Sequence, residues 1–384
     1  MEVYRKMSDW HTHVFTSTYT ADVSGVCSVM YELGGMSVLH DPSGCNSTYT
    51  THDEPRWYDT DSMMYCSGLD EMAAVFGDDS VIIHDTEQAA KDLHPRFINL
   101  CGASIPHIIA FDYKGVAHLI EKDTGIPVVP VATDGLKSYV SGVGLATREW
   151  IRKFGYTEEE KIPHSVNLLG VTPIDFSRQE IVDAMKKELK AYGHPVHCVF
   201  AMGDTFDHLR HIDQGMVNLC VSSAGRLPAR YMQGKMKIPY VEGLPIGRYM
   251  KEKISSCLTM AEETGKNQKA YDPDNAEGDI LVVGEEIFAR SLATEINHGS
   301  YGRNHHAYAL WPDVSEGLNE DELMEKANQA DIVIADPLFA NVIQNRTTRL
   351  IPFPHEGYSG RIFRKDIPLF TGSTFSIEEM LESR

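Results

Sequence analysis

Short runs of Val, Ile and Leu, each separated from the next by enough chain for a helix, recur along this sequence. Residues 36–40, 80–84, 97–100 and 126–131 read as buried strands. The pattern restarts with 165–171 and 196–201, and again with 279–284 and 331–336. Amphipathic stretches at 86–93, 107–122, 178–191 and 286–297 read as helices, and Ser24 can cap another that stops at Gly34-Gly35. Crossovers of this length join parallel strands, whereas antiparallel neighbours need only a tight turn. The expectation is an α/β fold of three consecutive Rossmann-like open parallel-sheet domains, 1–160, 161–277 and 278–384, with cofactor sites between them.

Charge narrows the function. Asp and Glu outnumber Lys and Arg by 55 to 35, and no basic cluster is present, so a nucleic-acid groove is not expected. No apolar run is long enough to span a membrane, and the first residues lack the apolar core of a secretory signal. Seven scattered cysteines do not form a disulfide framework, which suits a reducing cytoplasm. The phosphate-binding Gly-x-x-x-x-Gly-Lys-Ser/Thr and the hydrolase Gly-x-Ser-x-Gly signatures are both missing.

Three cysteines stand where a ligand should collect, beyond the carboxyl ends of strands or at a helix start. Cys27 lies in the first turn of its helix. Cys45 closes His40-Asp41-Pro42-Ser43-Gly44-Cys45, and Cys101 ends Phe97-Ile98-Asn99-Leu100-Cys101. Thiolates there can hold an iron–sulfur cluster, yet free cysteines also serve as small buried hydrophobes. Spacing alone leaves both readings open. Cys66 is a candidate fourth ligand, and Asp41 is either a ligand or a turn cap. Cys198 and Cys257 read as core. His208 and His211, three apart, share a helical face without a third ligand to complete a metal site.

The motifs as a set resemble the nitrogenase component 1 superfamily. That superfamily holds the molybdenum–iron protein α and β subunits, their cofactor-assembly paralogues, the protochlorophyllide and chlorophyllide reductases and the coenzyme F430 reductive cyclase. His40-Asp41-Pro42-Ser43-Gly44-Cys45 is similar to its His-Gly-Pro-x-Gly-Cys, with Asp41 replacing a Gly. Asp70-Glu71-Met72-Ala73-Ala74-Val75-Phe76-Gly77 resembles the acidic Ala-Val-Phe-Gly segment. Cys101 with Ile108-Ile109-Ala110-Phe111-Asp112, the run Gly125 to Val131 with Gly135, and Pro354-His355-Glu356-Gly357-Tyr358-Ser359-Gly360 continue the likeness in order.

The resemblance implies that Cys27, Cys45 and Cys101 bind a [4Fe–4S] or related cluster. It also implies that the cluster is completed by a second subunit, identical or paralogous. Electrons would come from a separate ATP-dependent iron–sulfur reductase. At a second site, His355 matches the family's cofactor His, while Ser222 falls where the family has Cys; Cys220, two residues away, is either presented to the same cavity or core. That cavity is expected to take a second metallocluster, a tetrapyrrole or another organic substrate. The implied function is the catalytic component of a two-component nitrogenase-like oxidoreductase in the cytoplasm. The alternative is a non-catalytic scaffold for assembling an iron–sulfur-based metallocofactor.

Overall fold

The computed structural model of the chain describes residues 20–42, 54–312 and 320–382. In it the apolar runs become the strands of three parallel sheets. The first has the order β2 (Met63–Cys66), β1 (Met36–His40), β3 (Ile98–Gly102), β4 (Val128–Pro130). The second runs β6 (Val196–Val199), β5 (Ile162–Leu169), β7 (Gly215–Cys220), β8 (Tyr240–Glu242), β9 (Gln268–Lys269). The third runs β11 (Ala307–Leu310), β10 (Ile280–Val283), β12 (Ile332–Ala335), β13 (Arg349–Pro352). Each sheet draws its strands from one continuous span of chain.

Helices cover both faces of the first sheet. After β2 comes the short α2 (Glu71–Phe76). Val38, Ile98, Leu100 and Val128 meet Ile82 and Ala90 of α3 (Ser80–Leu93) and Val116 and Ile120 of α5 (Tyr113–Thr124). Leu39, Cys101 and Val129 point the other way, onto α1 (Asp22–Met30) and α6 (Tyr139–Phe154). This alternation is the two-residue period of a strand. The α1–α6 crossing is very close. A Cβ at Gly142 would sit 1.8 Å from the Asp22 carbonyl oxygen, and one at Gly25 2.3 Å from that of Tyr139. Only glycine permits that approach. From α6 the core is continuous into the second unit, where Trp150 stacks edge-on to Phe200 and Phe206. In that unit α7 (Pro173–Phe176) and α8 (Gln179–Ala191) connect β5 to β6, and α9 (Phe206–Leu209) lies between β6 and β7.

Several local expectations give way to longer-range packing. Residues 80–84 are the first turns of α3 rather than a strand. Ile82, Thr86 and Ala90 form its buried stripe at every fourth residue, while Val81 is half exposed. The strand that pairs with β1 on its outer side is β2, an edge strand of half-buried residues whose pattern is too short to stand out. The helix expected at 107–122 is two. Between α4 (Ser104–Ile108) and α5, Ala110 takes φ 57°, and the Asp112 side chain accepts from the Lys114 and Gly115 amides as N-cap. Ser24 is not a cap: α1 already starts at Asp22, whose carboxylate accepts from the Asp134 and Gly135 amides.

Candidate iron–sulfur edge and second site

Parallel register brings the cysteines of the first sheet to one level. Cys66 pairs with Leu39, and Leu39 pairs with Cys101, so the three share one face across β2, β1 and β3. Helix α1 packs on that face and supplies Cys27. Cys27 and Cys101 lie in the same buried cluster. Interaction with Cys101, burial, and the nearby Glu54 carboxylate push the Cys27 thiol well above its ordinary value. Burial raises Cys66 as well, and its Sγ lies 3.1 Å from the Asp41 carbonyl oxygen. Asn99, on the same face, turns its amide toward Cys101 at 4.0 Å. Cys45 lies outside the described residues. Asp41 is described: its backbone nitrogen donates to Ser67 Oγ and its carbonyl accepts from Leu69.

This donor set fits a soft metal. Buried thiols with no cation beside them stay protonated, and a bound metal reverses that balance. One buried oxygen, Ser24 Oγ, has no hydrogen-bond partner and sits one helical turn before Cys27. His40 borders the edge, with Nδ1 2.8 Å from Ser67 Oγ and its ring 4.2 Å from that of Phe111. Burial lowers its pKa to about 4, so it is neutral.

Arg56 ties this edge to the second unit. Its guanidinium donates to Glu54 at 2.7 Å, Glu32 at 2.9 Å, and the Ser28 and Ala201 carbonyls at 2.7 Å each. Burial opposes its charge, but the two carboxylates more than offset this and raise its pKa.

The second site differs from expectation. Ser222 and His355 line one space with Phe176, Phe288, Phe353 and Phe370, but that space is only about 10 Å³. The four rings interlock at centroid distances of 4.8 to 6.0 Å. Both polar partners are already engaged. Ser222 Oγ donates to the Gly170 carbonyl at 2.7 Å. His355 Nδ1 accepts from the Gly357 amide, and Nε2 faces Asp175 Oδ1 at 3.2 Å. The same Asp175 oxygen accepts from Tyr139 at 2.6 Å. Burial opposes a charged His355 ring while Asp175 more than offsets it, so the pKa is raised; a second proton would still cost the Gly357 bond. Cys220 does not line this space. It is fully buried at the end of β7, and burial pushes its thiol up. A metallocluster does not fit between Ser222 and His355, since about 10–15 Å³ is needed for even one water.

Next to it is a more open cleft of about 240 Å³, lined by Tyr139, Ser223, Arg226, Arg230, Glu285 and Trp311, among others. Arg226 is held by Glu242 at 2.9 Å and by Glu286. Glu285 accepts from the Ser223 amide, and burial together with Asp175 raises its pKa. Nothing in the local sequence around Tyr139, Asp175 or Glu285 signals this grouping, because three separate segments contribute it.

A family model described as nitrogenase component 1 type oxidoreductase matches residues 25–280. The chain is 26% identical over 241 residues to the nitrogenase iron–molybdenum cofactor biosynthesis protein NifE of Methanococcus maripaludis, covering 60% of this chain and 48% of that protein. It is 24% identical to a light-independent protochlorophyllide reductase polypeptide of Chlorobium phaeobacteroides, over 55% of this chain and 40% of the relative. With the nitrogenase molybdenum–iron protein alpha chain of Methanosarcina barkeri it shares 23% identity over 56% of its own length and 42% of that chain. The chain thus spans about half the length of the curated relatives it matches. A solved structure described as "Nitrogenase Cp1 at pH 6.5" superposes with a TM-score of 0.68 at 13% identity, over 94% of this chain and 91% of that one. The three parallel sheets agree with that likeness, and no described helix is long and apolar enough to cross a membrane. By the family model that matches two-thirds of its length, this chain belongs to the nitrogenase component 1 type oxidoreductases.

Proposed function

We propose that the chain is the catalytic component of a two-component, nitrogenase-like reductase of the cytoplasm. Cys27, Cys45 and Cys101 hold an iron–sulfur cluster of the [4Fe–4S] class, with Cys66 or Asp41 as the nearest additional donors. The observation that carries this reading is that strand register sets Cys66 and Cys101 on one buried face at the carboxyl edge of the first sheet, where Cys27 of α1 packs in the same cluster as Cys101. When bound, such a cluster supplies one-electron transfer at low potential. The chain's part is to bury the sulfurs, orient them and keep water away.

A second subunit, identical or paralogous, completes the ligand set. Its docking is supported by α2, which has no buried residue and exposes Met72, Val75 and Phe76. Ile108 is exposed at the end of α4. Both helices follow strands at the carboxyl edge that carries the cysteines. A separate ATP-dependent iron–sulfur protein delivers the electrons, in keeping with the missing phosphate-binding signature in this sequence.

The substrate occupies the cleft beside Tyr139, Ser223 and Glu285. At about 240 Å³ it lies below the ~300–1,000 Å³ of drug-sized pockets, so it suits a small organic molecule or one end of a larger one. Burial raises the pKa of both Tyr139 and Glu285 at its wall.

A scaffold role is the second reading, favoured by the cofactor-biosynthesis name of a relative. Anaerobic purification with iron and sulfide analysis, followed by turnover with a reduced partner and ATP, tests both. A cluster with product formation supports the enzyme, a cluster released without product supports the scaffold, and iron-free protein removes both.

A further inference from the structure

We propose that His197, Cys198 and His208 form a site for a zinc-class divalent cation, separate from the iron–sulfur edge. One ligand atom from each of the three lies within 4.8 Å of the others. The tertiary structure has to work to bring them together, because neighbouring strand residues normally point to opposite faces. Between paired positions β5 advances from Val166 to Leu168 while β6 advances from Val196 to Val199. The extra residue in β6 breaks the regular pairing, and an interruption of this kind re-aims side chains. The chain then turns back through Ala201 (φ 73°) and Gly203 (φ 89°), which returns His208 of α9 over the strand.

The ring nitrogens are set for ligation. His208 Nδ1 lies 2.8 Å from Asp204 Oδ1, a carboxylate that only accepts, so Nδ1 carries the proton and Nε2 keeps its lone pair. His197 Nε2 lies 3.0 Å from the His211 carbonyl oxygen, so its proton is there and Nδ1 is the free acceptor. Neither free nitrogen has a hydrogen-bond partner among the described residues. Metal-bound histidines characteristically give their other N–H to a carboxylate or a backbone carbonyl, and both do so here. Asp204 is itself fixed by the Val199 amide at 2.6 Å.

Cys198 is fully buried and supplies the sulfur. The His208 side chain is 43% exposed, which leaves an entry path and room for water as fourth ligand. Zinc bonds of about 2.0–2.3 Å need ligand atoms roughly 3.3–3.8 Å apart, a contraction that side-chain torsion can supply. On binding, the Cys198 proton leaves to solvent and no electron moves. His211, three residues from His208, is not part of the set: it lies beyond α9 and pairs with Glu159 at 3.0 Å.

Cobalt(II) titration of the anaerobically purified protein tests the assignment, since a bound thiolate adds a sulfur-to-cobalt charge-transfer band. The expected result is one cobalt per chain with that band in the wild type. Cys198→Ser should abolish the band, and Asp204→Asn should weaken binding by about 10- to 100-fold. His208→Ala, at a half-exposed position, should weaken binding without unfolding the chain. Iron content should be the same in all of them, which separates this site from the cysteine edge of the first sheet. A wild type without the band, or a band that survives both Cys198→Ser and His208→Ala, overturns the proposal.

Discussion

Cys27 of helix α1 packs in one buried cluster with Cys101 of strand β3, on a face that Cys66 shares, and Cys101 helps push the Cys27 thiol up. Thiols gathered on one buried face give up their protons when they bind a metal. Cys27→Ser, Cys45→Ser and Cys101→Ser should each lose most of the iron found after anaerobic purification. Unchanged iron in Cys45→Ser would remove that residue from the ligand set.

Arg56 should be among the most destabilising surface-adjacent positions. Its removal strands Glu54, whose side chain is 3% exposed, and releases Ser28 and Ala201. Breaking a buried pair by deleting one partner costs about 3–5 kcal/mol. Denaturant unfolding of Arg56→Ala against wild type measures it; a loss below about 1 kcal/mol would show that the latch is not a structural tie.

His40 gives the fold a defined acid sensitivity. Its folded pKa is about 4, against 6.5 for the ordinary side chain. Between those values the unfolded chain binds the proton and the folded one does not, so stability falls as pH drops from 6.5 toward 4. The effect approaches about 3 kcal/mol at most. His40→Gln should flatten this part of the stability–pH curve relative to wild type, and parallel curves would count against the assignment.

Restoring a thiol at the second site should not restore a cofactor there. With about 10 Å³ between Ser222 and His355 and four phenylalanines around it, Ser222→Cys has no room to seat a cluster. Metal analysis of Ser222→Cys should match wild type. Extra iron or another transition metal in the variant would mean that this space opens.

Much of this was legible in the residues. The Met36–His40, Ile98–Gly102, Ile280–Val283 and Ile332–Ala335 strands lie where apolar runs do, because a strand buried on both faces needs such a run. The error at 80–84 has the same source: Val-Ile-Ile fits a strand or a helix stripe equally well until its neighbours are known. Edge strand β2, only half covered, left no comparable trace.

Local sequence determined the layered α/β class and the residue types available for metal binding, since periodicity and chemistry are written along the chain. Only tertiary structure decided that Cys66 shares a face with Cys101, that four phenylalanines close the space beside His355, and that His197, Cys198 and His208 come within 4.8 Å of one another. Those outcomes depend on strand register and on packing between segments far apart in sequence. A one-residue change of register would reverse every face in a strand while leaving its composition untouched.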